Sequence, residues 1–188
     1  MGSDNLGGGP RAEEPGNQQE RLITIGWVIG FVDGEGCFSI GFTRQPDRGK
    51  RKGYRLGFQV NHDFVVPQGA RSLEALDALR SFFGVGRVYT NTRHDNHREN
   101  MRAYTVHRRS ELVDVIVPFF RRHQLRTSKR NDFEKFSRCL ELIVENRHLT
   151  REGLAEIAEI TQTMNREVSR HEMIRILRGH TSDDRVSD

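Results

Sequence analysis

The chain has 188 residues, 35% of them hydrophobic, which is enough to bury one substantial core. No apolar run is long enough to cross a bilayer and no signal peptide precedes the first predicted helix, so we expect no membrane partner. The net charge is +4, but the first twenty residues carry −3 and residues 181–188 carry −2, which leaves +9 between them. A basic body with acidic ends is typical of a protein that binds a polyanion.

The basic and sulfur-containing residues give further information on the partner, on metal binding and on the cellular compartment. Arginine supplies 26 of the 30 basic residues, which suits phosphate and guanine contacts but is also what a GC-rich coding sequence produces. Cys37 and Cys139 have no CxxC spacing, so we expect free thiols and no zinc site. Free thiols indicate a reducing, intracellular compartment, which could be a bacterial cytoplasm or an organelle.

The order of elements divides the chain into three segments. Residues 1–20 are rich in glycine and proline and are predicted to form a disordered leader. Residues 21–170 alternate between helical and strand patterns and are predicted to form one domain. Residues 171–188 are predicted to form a C-terminal extension or tail.

The first helix has an unusual glycine pattern. Gly26, Gly30 and Gly34 are four residues apart, so they share one face of a helix predicted over residues 23–34. Each costs about 1 kcal/mol relative to alanine in a helix interior, which calls for a compensating reason. Close backbone approach is one such reason, because helices with small residues on one face can pack tightly. We therefore expect Gly26, Ile29, Gly30 and Asp33 to contact a second protein helix.

Glu35 is predicted to lie at the carboxyl end of this helix, with Gly36 in the left-handed conformation that ends it. Unpaired carbonyls and the helix dipole favour a cation there. If two such helices pack about a twofold axis, two copies of Glu35 approach each other, and a divalent metal would relieve their repulsion. The plainer alternative is a buried helix with a solvated acidic pair before a strand.

Two pairs of strands follow, separated by a helix. Residues 37–44 and 54–61 alternate between apolar and polar side chains, which predicts a ribbon with one face of each kind. Ser72 is predicted to open a helix that stops at Gly84-Val85-Gly86, and residues 87–91 and 103–107 form the second strand pair. Further helices are expected near residues 110–117, 131–145 and 150–170. The fold class is therefore α+β, with helices against one sheet.

The nine residues Val28 to Gly36, read as VIGFVDGEG, resemble the LAGLIDADG motif of homing endonucleases and occur once. The segments LGFQV, GVG and PFF agree with that family in order, and the resemblance covers roughly residues 21–170. It implies the LAGLIDADG fold, an αββαββα core whose four-stranded antiparallel sheet forms a DNA-binding saddle, with extra C-terminal helices. A single motif implies that two identical chains pair through this helix.

The resemblance also implies roles for individual residues. Glu35 and the carbonyl of Gly34 would bind Mg²⁺, or Mn²⁺ or Ca²⁺ in its place. Lys129 occupies the position of a lysine that stabilises the transition state or positions water, although an ordinary phosphate-facing lysine is an equal alternative. His62 lies near a position that holds a water-ordering side chain. His94 and His97 form an HxxH in a predicted loop, where a metal site is not expected.

The polar faces of the strands carry side chains that can contact base edges in the major groove. They are Ser39, Thr43, Arg55, Gln59, Asn61, Arg87, Tyr89, Asn91, Thr105 and His107. The loops at residues 44–55 and 121–130 add charge for phosphate contacts. Together these features favour an intron-encoded, homodimeric endonuclease that cuts a long, pseudo-palindromic double-stranded DNA target. The resemblance to the family implies that each cut leaves short 3′ overhangs. An RNA maturase and a catalytically silent DNA-binding protein on the same scaffold remain alternatives, and RNA is an expected partner only of the maturase.

Overall fold

The computed structural model describes residues 15–44, 57–91, 100–165 and 169–178. The chain runs α-β-β-α-β-β and then through further helices, which confirms the predicted α+β class. The elements are α1 Pro15–Glu35, β1 Cys37–Arg44, β2 Phe58–Gly69, α2 Leu73–Phe83, β3 Arg87–Asn91, β4 Met101–Val106, α3 Arg109–Glu111, α4 Val117–Arg122, α5 Lys129–Val144, α6 Arg151–Thr161 and α7 His171–Leu177.

The four strands form one antiparallel sheet in the order β1-β2-β4-β3. Strand β2 is the longest because it pairs with β1 through its first part and with β4 through its second. We predicted that this strand ends at Asn61, but it continues to Gly69. Its alternation continues beyond Asn61, with Phe64 and Val66 fully buried, and Pro67 is tolerated opposite Ala103. The predicted start, residues 54–56, lies outside the described residues.

Helices cover one face of the sheet and enclose an aromatic core. Phe38 of β1 stacks on Phe64 of β2, with ring centroids 4.9 Å apart. Phe120 of α4 packs edge-on against both rings, at 5.5 Å and 5.7 Å. Phe133 and Phe136 of α5 complete the contacts with Phe38. Strands β1, β2 and β4 therefore have a buried apolar face, and the opposite face of the sheet is not covered by the helices.

Helix α1 is longer than predicted, because it begins at Pro15, inside the segment assigned to the leader. Its last turn ends in a hydrogen bond from Gly36 N–H to the carbonyl of Val32, 2.8 Å long. The prediction that Gly36 adopts a left-handed conformation is wrong, since its φ is not positive. Glycine is needed there for space: a Cβ would lie 2.7 Å from Val32 Cγ1 and 2.8 Å from the Val32 oxygen.

Two other helices differ from expectation at one end each. Helix α2 begins one residue after Ser72 and ends as predicted at Gly84, which has a φ of 67°. The predicted helix over residues 150–170 ends at Thr161, and a separate helix, α7, follows within the predicted tail. Helix α7 and α6 enclose a small second core, in which Leu154, Ala155 and Leu177 pack against Phe42, Phe58 and Val60. The C-terminal helices thus support the end of the β1–β2 ribbon farthest from α1.

Candidate active site

The candidate active site lies at the carboxyl end of α1. Glu35 is the last residue of the helix and its side chain is exposed. Lys129, the first residue of α5, extends its ammonium to the same helix end and donates hydrogen bonds to the carbonyls of Val32 at 3.1 Å and Gly34 at 3.2 Å. The Gly34 carbonyl has no partner within the helix, whereas the Val32 carbonyl also accepts the N–H of Gly36. Glu35, the Gly34 carbonyl and the Lys129 ammonium therefore all lie at the carboxyl end of α1.

Asp33 holds the loop that delivers Lys129. Its carboxylate accepts hydrogen bonds from the backbone N–H of Arg126 at 2.6 Å and of Thr127 at 3.2 Å, and from the Thr127 hydroxyl at 2.8 Å. The Thr127 hydroxyl oxygen in turn accepts the N–H of Lys129. Asp33 therefore connects α1 to the start of α5 within one chain. Its predicted contact with a second chain stays a prediction.

Asn165 joins the start of β1 to α5 beside this site. Its side-chain amide donates to the carbonyl of Phe38 at 2.9 Å, and its backbone N–H donates to Asp132 at 3.0 Å. Asn165 has a φ of 52°, a conformation that asparagine tolerates better than most residues. The thiol of Cys37 lies 3.7 Å from the Asn165 side-chain oxygen. Burial raises the pKa of the Cys37 thiol above its ordinary value, and the charge of Lys129 only partly offsets this rise.

The glycine face of α1, formed by Gly26, Gly30 and Gly34, points away from the core. The buried side of the helix carries Val28 and Val32, both with no exposed surface. A Cβ placed on any of the three glycines would meet no atom of the described residues within 4 Å. Large apolar side chains are exposed on the same helix, including Leu22 at 67% and Trp27 at 40%. Nothing within the described part of the chain thus explains why these positions are glycine.

His62 lies on the helix-covered face of the sheet. It shares its strand face with Phe64 and Val66, and its Nδ1 is buried with no hydrogen-bond partner among the described residues. Burial, followed by the positive charge of Arg109, lowers the pKa of His62. This placement gives no support to the prediction that His62 orders water beside Glu35. The sequence pattern predicts that the strand ends near His62, whereas β2 continues to Gly69, and His62 lies on its covered face.

The uncovered face of the sheet carries the predicted base-contacting residues. The register aligns Ser39 with Asp63, Thr43 with Gln59, and Arg87 with Thr105. The described members therefore lie on one face, as their shared parity predicted; they are Ser39, Thr43, Gln59, Asn61, Arg87, Tyr89, Thr105 and His107. Asn91 pairs with Met101 at the end of β3, and Arg55 lies outside the described residues.

These residues differ in how they are presented. Asn61 donates to the Thr43 hydroxyl at 2.7 Å, so the two side chains form a unit. Tyr89 is 43% exposed, whereas Thr105 is 6% exposed because it sits between β2 and β3. The outer strands therefore present more accessible side chains than β4 does. Thr105 has little surface to offer a ligand.

Asp63 is a further polar residue of this face and is not among the predicted base-contacting residues. This residue lies on the uncovered face between Ser39 and His107, and its Oδ1 is 2.6 Å from His107 Nδ1. It is the odd-numbered neighbour of Asn61 and Gln59, so continuing the strand alternation would have identified it. The early end assigned to β2 hid this signal.

One chain does not supply a complete metal centre within its described residues. No group of three or more histidine, cysteine, aspartate or glutamate side chains comes together there. The donors at the end of α1 are one carboxylate and one carbonyl, both oxygen, which are the ligands that hard divalent cations prefer. An ammonium already bonds to the Gly34 carbonyl, so this helix end does stabilise positive charge. The residues fit a metal only if further ligands come from outside the chain.

The sequence comparisons decide the family. Residues 28–140, which include the glycine face, the sheet and the start of α5, match the LAGLIDADG endonuclease family. The chain belongs to that family. This confirms the resemblance that the nonapeptide suggested.

Curated relatives agree with this assignment. The chain is 28% identical over 140 residues to a probable intron-encoded endonuclease of Neurospora crassa, and 32% identical over 127 residues to an uncharacterised protein in an intron of ND4 of Podospora anserina. The matches cover 74% and 66% of this chain. They cover 28% and 25% of those proteins, so the chain spans about a quarter of the length of the curated relatives it matches.

Solved structures of LAGLIDADG proteins share the fold. The homing endonuclease I-TnaI is 38% identical with a TM-score of 0.67, and the match covers 83% of this chain and 96% of I-TnaI. I-SmaMI bound to cleaved DNA is 27% identical with a TM-score of 0.68, and the match covers 86% of this chain but 50% of I-SmaMI. Another I-SmaMI structure holds uncleaved DNA in the presence of calcium ions. In the described part of this LAGLIDADG chain, no helix is both long and apolar enough to span a bilayer.

Proposed function

We propose that this chain is a homodimeric, metal-dependent homing endonuclease that cuts both strands of a long, pseudo-palindromic DNA target. The observation that carries the proposal is the contact of the Lys129 ammonium with the Gly34 carbonyl, at the end of the motif helix whose last residue is Glu35. A carboxylate for a metal and a cation for phosphate are the two kinds of group that phosphodiester hydrolysis requires.

The exposed glycine face supports the dimer. Glycines with open space beside them weaken a helix without benefit to the isolated chain. A second copy packed along this face would explain them and would bring two Glu35 side chains together. The match of this chain to half of I-SmaMI and to nearly all of I-TnaI agrees with a protein that builds its site from two copies.

The proposed metal site uses Glu35 and the Gly34 carbonyl from each copy, with Mg²⁺ as the expected ion and Mn²⁺ or Ca²⁺ as substitutes. Mg²⁺ and Ca²⁺ take six or more oxygen ligands, so the remainder come from the second copy, the DNA phosphates and water. When bound, the ion would activate water for attack and stabilise the leaving oxygen.

The chain's own side chains then have separate tasks in cleavage. The Lys129 ammonium is close enough to the helix end to stabilise charge that develops on the phosphate. Asp33 and Thr127 hold the backbone that carries Lys129, so these hydrogen bonds help to fix the position of its side chain. The paired helices and the bound duplex would exclude bulk water from the cleavage site.

The uncovered face of the sheet supplies the proposed DNA-binding surface. A two-stranded ribbon fits the major groove, where arginine contacts guanine and asparagine or glutamine contacts adenine. Arg87, Gln59 and Asn61 are the side chains of these types on the described face. The two free cysteines, Cys37 and Cys139, fit a reducing compartment as the place of action.

Glu35→Gln tests the proposal with little change in shape. We expect this variant to lose metal-dependent nicking of duplex DNA while its affinity for DNA stays equal or rises, because one negative charge per chain is removed. Glu20→Gln is the matched control, since Glu20 is exposed near the other end of α1, and it should cut normally. If Glu35→Gln still cuts, the metal assignment is wrong. If RNA competes better than duplex DNA, the maturase alternative is correct.

A further inference from the structure

Asp63 is an acidic side chain on a surface proposed to contact a polyanion. A carboxylate facing phosphates is repelled, so a solvated surface role alone does not account for it. Its side chain is 34% exposed and pairs with His107, which is 54% exposed, through Asp63 Oδ1 and His107 Nδ1 at 2.6 Å. The imidazole therefore fixes the direction of the carboxylate and offsets its charge when protonated.

The hydrogen bond to His107 determines which ligand groups Asp63 can bind. An ionised carboxylate accepts hydrogen bonds and cannot donate, so Nδ1 is the donor in the pair. The bond uses one oxygen of Asp63, which leaves the second oxygen able to accept from a ligand. In the major groove the donors are the amino groups of cytosine N4 and adenine N6, and aspartate is the partner of cytosine N4.

The place of Asp63 and His107 on the sheet indicates which part of the half-site they would contact. Asp63 lies opposite Ser39, and β1 leaves the motif helix at Cys37, so Asp63 is near the end of the ribbon beside Glu35. Gln59 and Thr43 lie at the far end of the same ribbon. Tyr89 packs its ring 5.8 Å from that of His107 and limits the movement of the pair from the other side.

We propose that Asp63 is a specificity-determining residue that selects a cytosine in the inner part of each half-site, and that His107 positions its carboxylate. This inference rests on the proposed function, because it assigns one base contact on the proposed DNA-binding surface. It predicts a preference confined to one base pair per half-site, beside the cleavage position.

Selection from a pool of randomised duplexes in Ca²⁺ tests it. The wild-type chain should enrich cytosine at one inner position, and Asp63→Asn should shift that position to adenine or lose its preference by about tenfold, with other positions unchanged. His107→Ala should weaken the same position only. Asp77→Asn, which removes the same charge from α2 where Asp77 pairs with Arg80, is the matched control and should keep the wild-type profile.

The outcomes separate this inference from the proposed function. If Asp63→Asn enriches the same sequences as the wild-type chain, Asp63 does not select a base, although the proposed endonuclease stands. If the wild-type chain enriches no sequence at all, the proposed site-specific function is wrong and the assignment of Asp63 falls with it. Loss of preference at many positions in Asp63→Asn would show a structural effect and would also overturn the assignment.

Discussion

The ammonium of Lys129 donates a hydrogen bond to the carbonyl of Gly34, 3.2 Å away, across 95 residues of sequence. The cation thus occupies an oxygen that is a proposed metal ligand. Lys129 and a metal ion would share this carbonyl or compete for it, because both are positively charged. The contact joins the motif helix to α5 and sets the geometry of the site before any ligand binds.

Replacing Lys129 by methionine should abolish cleavage and lower the free energy of unfolding. The variant loses two charge-assisted hydrogen bonds, to Val32 and Gly34, and we expect the free energy of unfolding to fall by about 1–3 kcal/mol in urea titrations. Lys135→Met is the matched control, since Lys135 Nζ donates to the carbonyl of Thr163 at 2.7 Å, away from Glu35. It should lose comparable stability and keep cleavage. Normal cleavage by Lys129→Met would exclude the proposed role.

Asp33→Asn should impair the site through Lys129 and the loop before it. The Asp33 carboxylate accepts three hydrogen bonds from Arg126 and Thr127, and an amide can accept at one oxygen only. We expect a loss of about 1–3 kcal/mol in the free energy of unfolding, measured in urea, and a lower rate of cleavage at saturating DNA. A fully active and equally stable variant would show that these bonds do not position Lys129.

The glycine face and Gly36 should respond to alanine in opposite ways. Gly30→Ala has room in the single chain and should stabilise the isolated α1 helix by about 1 kcal/mol, but it should weaken dimer formation measured by sedimentation. Gly36→Ala meets Val32 within its own chain and should destabilise the fold by about 1–3 kcal/mol whatever the oligomeric state. Undiminished dimer formation by Gly30→Ala would place the interface elsewhere.

Stability should fall as the solution becomes mildly acidic. Burial, and then the charge of Arg109, lowers the pKa of His62, and burial also lowers that of His148. The unfolded chain therefore binds these protons more readily, so the stabilisation is complete above the ordinary histidine pKa and is lost as the pH falls toward the folded-state values. Two groups on the opposite face of the sheet also affect the pKa of His62: the charge of Asp63 raises it and that of His107 lowers it.

We expect the free energy of unfolding to decrease between about pH 7 and pH 5, measured by urea titration at each pH. His62→Gln should flatten part of this slope and the double variant with His148→Gln should flatten more. A double variant with the wild-type slope would rule out these two histidines as its source.

The fold was predictable where the signal is local. Alternation placed Phe38 and Ile40 inside and Gln59 and Asn61 outside, because the strand period is two residues whatever surrounds it. The roles of Glu35 and Lys129 rest on the helix end and on resemblance to the family, and they stay predictions. Parity could also have identified Asp63 had β2 been followed past Asn61.

Other features depend on contacts between distant residues. Gly36 was assigned a left-handed conformation from helix-end statistics, whereas close packing against Val32 decides it. The bonds between Asp33 and Thr127, and between Asn165 and Phe38, join residues that no local pattern relates.

The most direct test of the central claim mixes two chains. Wild-type chain and Glu35→Gln chain, co-expressed in equal amounts and purified together, should form random pairs, of which about a quarter contain two intact copies of Glu35. Double-strand cleavage should therefore fall to about a quarter of that of the same total amount of wild-type protein. A fall to about one half would show that single chains cut independently, and it would contradict a site built from two copies.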